Sequence, residues 1–495
     1  MTKTSFKKWI CSAAVIAILL PAGMAFAAED YLVPLNDPMA AFLETRAYAA
    51  KMGATAEFRK MEGVALDEVN SKIYIAMSSI GKGMADQKGD IQLPTNKCGI
   101  VYGAELDSNF NIVKLTPDVV GGKYDKSAKN RCDVDAIANP DGVYVDPQGN
   151  LWIAEDTSNH KNNVLWKWDG KNLLRFATVP KKAEITGLHI TADGTLFFNV
   201  QHPHNMSKFP YNRGCVGVVN GFNTAQDFTP IPVPEGDDML DVVVAKGTFQ
   251  VLARVGEEIP NDVYGQRFGQ VNRLDGTLKE MCNHPDGNMF LPINKSGTMG
   301  YLYTNYECRP GTIGKIYMEK VGGMWKVLDG ENVDFAAVKG TWNNCNASVT
   351  PWNTGLSCEE YEPVAAKSGW QKNVKDMTEY LGKQANPYDY GWLLELIPSD
   401  GDSATTQVVK HYAMGRLSYE MGRVMPDQKT VYSGDDGTNV ILAKFVADKP
   451  EDLSAGTLYA AKITQNGDQS LDIKWIELGR STNADVFEAI RKQDM

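Results

Sequence analysis

A pair of short strands joined by a tight polar turn recurs along this chain, and the recurrence constrains its fold more than any other feature. Residues 62–78 read EGVALDEVNSKIYIAMS, residues 141–156 DGVYVDPQGNLWIAED, residues 186–201 TGLHITADGTLFFNVQ and residues 421–436 MGRVMPDQKTVYSGDD. Aligned on Gly63, Gly142, Gly187 and Gly422, each unit has a strand, a turn of Asp, Asn, Gly or Gln, and a second strand rich in β-branched and aromatic residues. Weaker relatives lie around residues 302–305 and 392–396. Helical periodicity is confined to short stretches, residues 39–51 and 484–492. Hairpins repeated without alternating helices predict an all-β fold, a β-propeller with six blades expected, carrying loop and short helical insertions.

The first 27 residues stand apart. Lys3, Lys7 and Lys8 precede an apolar run over residues 9–20, and Ala25-Phe26-Ala27 precedes Glu29-Asp30, the pattern of a secretory signal peptide. The run is short for a membrane span and no later stretch is apolar enough to anchor the chain. The expectation is a periplasmic or secreted protein, cleaved near Ala27, with residues 28–495 forming one propeller domain and no stable membrane anchor. The formal net charge of −11 becomes more negative once the leader's lysines are removed, which argues against nucleic acid as a partner. A monomer is expected. Cys11 lies in the leader, and the remaining cysteines, Cys98, Cys132, Cys215, Cys282, Cys308, Cys345 and Cys358, are odd in number. At least one thiol therefore stays outside disulfides in an oxidising compartment. Cys98 with Cys132 and Cys282 with Cys308 are the expected pairs, and Cys345 is the expected metal ligand.

Chemistry concentrates in residues 344–360, NCNASVTPWNTGLSCEE. Pro351 cannot donate to a ladder, so a loop is expected, in which Cys345, Glu359 and Glu360 could face one point. Thiolate with carboxylates suits a transition metal; a disulfide cysteine beside a solvated acidic turn is the competing reading. Glu62 and Asp141 immediately precede their aligned glycines, and Glu420 lies two before Gly422. Acids at matching ends of different blades can meet at one mouth of a propeller channel, although any one of them alone could cap a turn. His202 could orient a ligand or close a turn, and Arg416 could contact phosphate or pair at the surface. Residues 79–99 read as a mobile insertion, and residues 204–236 and 362–390 as lids or pocket walls.

Several blocks together resemble the PhoX-type alkaline phosphatases: NCNASVTPWNTGLSCEE, GRLSYE at 415–420, EITGLHITADGTLFFNVQHP at 184–203 and DLSAGTLYAAK at 452–462. The blocks stand in a different order from the family pattern, as a circular permutation would place them; a closed propeller tolerates this. The resemblance implies metal-assisted hydrolysis of small-molecule phosphate esters with an iron pair and calcium near the channel axis. It implies Cys345 on iron and metal-ligating roles for Glu62, Asp141, Glu307, Glu359 or Glu360, Glu420, Asp435 and Asp436. Cys345, Glu307, Glu359, Glu420 and Arg416 are the expected catalytic set, with His202 and Arg416 facing substrate. Tyr306 and Tyr419 stand where the family pattern has histidine, Gly434 where it has glutamate, and Gly142 where asparagine is common. These departures keep a non-catalytic calcium-binding propeller in play, and the hairpin at 140–152 keeps a lactonase-like calcium propeller beside it.

Overall fold

Six antiparallel units succeed one another along the chain in the computed structural model, which describes residues 30–262, 264–399 and 405–493. Blades I to VI begin with the inner strands Met61–Asp67, Pro140–Val145, Glu184–Ile190, Pro285–Pro292, Asn344–Val349 and Tyr419–Val424. Each inner strand packs on that of the next blade, and the inner strand of blade VI packs on that of blade I. The ring is therefore closed, and the fold is a six-bladed β-propeller. Apart from Val243–Val244, which lies between strands of blade III and pairs with blade II, every blade is continuous in sequence, so closure is made by contacts between the first and last blades. Leu115 on the outermost strand of blade I pairs with Leu471 of blade VI, and Phe58, ahead of blade I, pairs with Val440 of blade VI. The Glu62 and Glu420 blades are thus neighbours, the arrangement a permuted ring requires.

The apolar core is divided into wedges between blades. Trp152, Phe176, Phe198 and Phe222 fill one between blades II and III, with Trp152 and Phe176 edge to face at 5.1 Å. Strands covered on both faces lose the usual alternation; Leu196–Gln201, LFFNVQ, is buried throughout. The predicted hairpins form over all four aligned units. The two predicted helical stretches appear as Ala40–Leu43 with Thr45–Lys51, and as Asn483–Arg491. The last is capped by Thr482, whose hydroxyl accepts from the Asp485 N–H at 3.1 Å. The leader lies outside the described residues. Among the described residues no helix is long and apolar enough to cross a membrane.

Both expected disulfides, Cys98–Cys132 and Cys282–Cys308, are present, and Cys215, Cys345 and Cys358 are free and buried. Two expectations need correction. Residues 344–360 form a hairpin instead of a loop, strands Asn344–Val349 and Gly355–Glu359, because Pro351 falls in the turn and interrupts no ladder. Residues 79–99 are anchored by an Ile80–Asn96 bridge and by buried Met84, Ile91 and Leu93.

Candidate metal centre

The inner strands share a device that turns side chains into the channel. In every blade the register slips once near the start of the inner strand, so that two inner-strand residues oppose one on the neighbouring strand. This is a β-bulge, which re-aims the residues it displaces. In five blades the first displaced residue is a metal-ligand type: Glu62, Asp141, Asp286, Cys345 and Glu420. Blade III differs. Its ladder runs through three pairs before the slip, the displaced residues are Gly187 and Leu188, and Glu184 from the first pair enters the cavity instead.

A second tier follows the same register. The residues just after the neighbouring strand's first pairing partner are Ser78, Asp156, His202, Glu307, Glu360 and Asp436 in blades I to VI. Apart from Ser78 and Asp436, the tiers line a cavity of about 270 Å³, with Lys60, Gln201, His284 and Tyr361 completing its wall. Close backbone approach brings neighbouring blades together: a Cβ on Gly63 would lie 2.7 Å from the Asp141 carbonyl oxygen.

Three overlapping groups hold their ligand atoms within 4.8 Å of one another: Cys345 with Glu360 and Glu420, Glu62 with Asp141 and Glu420, and Asp141 with Asp156 and Glu184. Burial, followed by repulsion from Asp436, pushes the Glu62 carboxyl up to about 7. Burial and neighbouring carboxylates likewise raise Asp141, Glu184, Asp286, Glu307, Glu360 and Glu420. The Cys345 thiol is raised by burial and then by Glu420 and Glu360. Lys60 is the one lysine or arginine among the lining residues; its Nζ lies 2.7 Å from Glu62 and 3.7 Å from Asp436. Eight carboxyls and a thiol facing one ammonium form a ligand set short of positive charge, and bound cations reverse that deficit. Oxygen-rich groups suit calcium, whereas the thiol-bearing group suits a softer metal. The donor set therefore fits a mixed centre.

Of the expected site residues, Cys345, Glu62, Asp141, Glu307, Glu360, Glu420 and His202 line the cavity, and Asp436 stands behind Lys60. Glu359, Asp435 and Arg416 do not line it. Adjacent residues at a strand end face opposite ways, so in Glu359-Glu360 and Asp435-Asp436 the first acid turns away from the channel. Glu359 pairs with Lys410 at 2.9 Å, both wholly buried, and accepts from the Gly391 and Trp392 N–H groups at 2.8 and 3.1 Å. Asp435 is gripped by Arg46 at 2.6 and 3.1 Å. Arg416 donates to the carbonyl oxygens of Tyr390 at 2.7 Å and Pro387 at 3.2 Å, leaving no free fork for phosphate. These three side chains hold the loops around the site.

His202 Nε2 lies 2.9 Å from Glu184, and its ring is 5.4 Å from that of His284, whose imidazole burial and His202 depress to about 4. Lys60, Asp156, Glu184, Gln201, His284, Asp286 and Tyr361 are lining residues that sequence reasoning missed. Pro285-Asp286-Gly287 repeats Pro140-Asp141-Gly142, and Glu155-Asp156 repeats the double acids of blades V and VI, so Asp286 and Asp156 had visible signals.

The family model of alkaline phosphatase PhoX matches residues 33–204 and 318–494, well over half of the chain. The chain belongs to the PhoX family. Among solved structures it is similar to Pseudomonas fluorescens PhoX in complex with vanadate, with 19% identity over 46% of this chain and 54% of that one and a TM-score of 0.35. That match spans about half the length of the Pseudomonas protein. It is also similar to a gluconolactonase of Xanthomonas campestris, with 12% identity over 77% of this chain and 85% of that one and a TM-score of 0.36. A protein from Lactobacillus plantarum gives 11% identity over 85% of this chain and 84% of that one, with a TM-score of 0.36. No curated protein matches. The departures from the PhoX pattern fall away from the cavity lining. Tyr419 donates to the Met414 and Gly415 carbonyls at 2.8 Å, and Tyr306 packs among Val255, Val271 and Cys282. A side chain at Gly434 would meet the Glu62 carbonyl oxygen at 2.3 Å, so glycine is required there in this chain.

Proposed function

We propose that this chain is a metal-dependent phosphatase that hydrolyses small phosphate esters in the channel cavity, with iron and calcium as its cations. The observation that carries the proposal is the convergence, from all six blades, of carboxyls, most of them buried, and one buried thiol on a cavity with a single ammonium. Cys345, Glu360 and Glu420 would hold iron, and the groups around Asp141 would hold calcium. Bound there, the cations would neutralise a phosphate ester and act as Lewis acids on it.

The chain's own residues then have separate tasks. The carboxyls fix the cations in the channel and, without them, repel an anionic substrate. Lys60 keeps its ammonium because Glu62 and Asp436 outweigh the penalty of burial, so it can bind a phosphoryl oxygen across the working pH range. Glu184 orients the His202 ring through Nε2. His284, held neutral by burial and by the neighbouring His202, can donate or accept a hydrogen bond to a group bound beside it. Because Tyr306, Tyr419 and Gly434 lie away from the lining, their substitution removes no donor from the cavity. Export to the periplasm or beyond, as a monomer, is part of the proposal; the leader pattern and two disulfides support export.

The test is metal analysis of the purified mature protein alongside turnover of an aryl phosphate monoester. Iron with calcium, and turnover abolished by chelation, is expected. Calcium alone without turnover would overturn the phosphatase reading in favour of a non-catalytic propeller.

A further inference from the structure

Glu307 on blade IV and Glu360 on blade V reach the cavity from different sheets, yet one amide joins them. The Asn343 Nδ2 group donates to Glu307 Oε1 and to Glu360 Oε2, each at 3.1 Å. Its Oδ1 accepts from Arg309 Nε at 3.2 Å. The amide cannot flip without setting its oxygen against two carboxyls and its NH₂ against a guanidinium. The Arg309 guanidinium itself lies over aromatic rings, its Cζ 4.9 Å from the centre of Trp342 and 5.8 Å from that of Tyr361. Asn343 is 5% exposed, with φ at 43°, and its N–H donates to the Cys308 carbonyl at 2.8 Å. Cys308 is tied to Cys282 by the disulfide, so the amide is referenced to a covalently fixed part of blade IV. Neither Asn343 nor Arg309 lines the cavity.

We infer that Asn343, oriented by Arg309, is the positioning residue that sets the spacing of Glu307 and Glu360 and thereby the affinity of the Cys345 position for a transition metal. The inference rests on the proposed metal occupancy of the cavity. The amide holds Glu307 through Oε1 and Glu360 through Oε2, and Gln201 Nε2 lies 3.4 Å from Glu307 Oε2, so both carboxyl planes are oriented from behind. Groups that orient metal ligands from behind typically contribute about 10–100-fold in affinity.

The probe is Co²⁺, titrated into metal-stripped full-length mature protein and read by thiolate-to-cobalt absorption, with Cys345→Ser as the blank. Asn343→Gly removes both donors while suiting the left-handed backbone, and Asn343→Asp keeps the shape but adds a third carboxyl. Asn343→Gly is expected to need about 10–100-fold more Co²⁺ than the wild type, with a thermal midpoint of the stripped protein close to the wild type, whereas Asn343→Asp is expected to lower that midpoint by adding repulsion. Arg309→Ala is expected to weaken binding too, with no further loss when combined with Asn343→Gly, because the two act as one unit. Wild-type Co²⁺ affinity in Asn343→Gly, or losses that multiply in the double variant, would overturn the inference. Absence of the thiolate band in the wild type would overturn the metal reading of Cys345, and this inference with it.

Discussion

Neighbouring acids in this chain do opposite work. Glu359 closes a buried ion pair with Lys410, whereas Glu360, one residue on, faces the channel among other carboxyls. Glu359→Gln leaves a buried ammonium without its counter-charge and should destabilise the fold by about 3–5 kcal/mol. Glu360→Gln removes a repelling carboxyl and should leave the melting point of the metal-stripped protein unchanged or higher, while weakening metal uptake. Thermal unfolding with and without metal separates the two; equal destabilisation by both changes would contradict the division. The double acid was visible in the sequence, but which member faces the channel depends on strand phase at Asn344–Glu359, and expecting a loop there hid that phase. Arg416 was hidden in the same way, since its carbonyl partners come from loops at 363 and 387–390.

The bulge is the working unit of each blade. Aligning the hairpins on their glycines recovered Glu62, Asp141 and Glu420 because three blades slip at the same offset from the strand start. Glu184 escaped because the slip in blade III comes two residues later, an irregularity that local propensity does not encode. Gly63 lets the first bulge sit against the second blade. Gly63→Ala should force the backbones of blades I and II apart, destabilising by about 1–3 kcal/mol and weakening uptake of calcium. Chemical denaturation and calcium titration would check this; an alanine variant with native stability and affinity would show that the close approach is not required.

Across the whole molecule, the ring gathers charge that six separate hairpins would never meet. The propeller was legible because repetition survives in the hairpins, whereas the closure by Leu115 with Leu471 and Phe58 with Val440 pairs residues with no shared motif. Gathering the acids has a pH signature. Free Glu titrates at about 4.3, while Glu62 in the ring is held up to about 7 and its neighbours are also raised. Between those limits the stripped folded protein keeps protons that the unfolded chain has released, so its stability should fall as pH rises from about 4 to 7. Saturating metal should abolish that slope; a stripped protein equally stable across the window would contradict the account. The most direct test is anomalous diffraction from crystals of the mature protein at the iron absorption edge. A peak bounded by Cys345 Sγ, Glu360 and Glu420 is the predicted result, and a well-ordered cavity with no iron signal beside Cys345 would contradict the central claim.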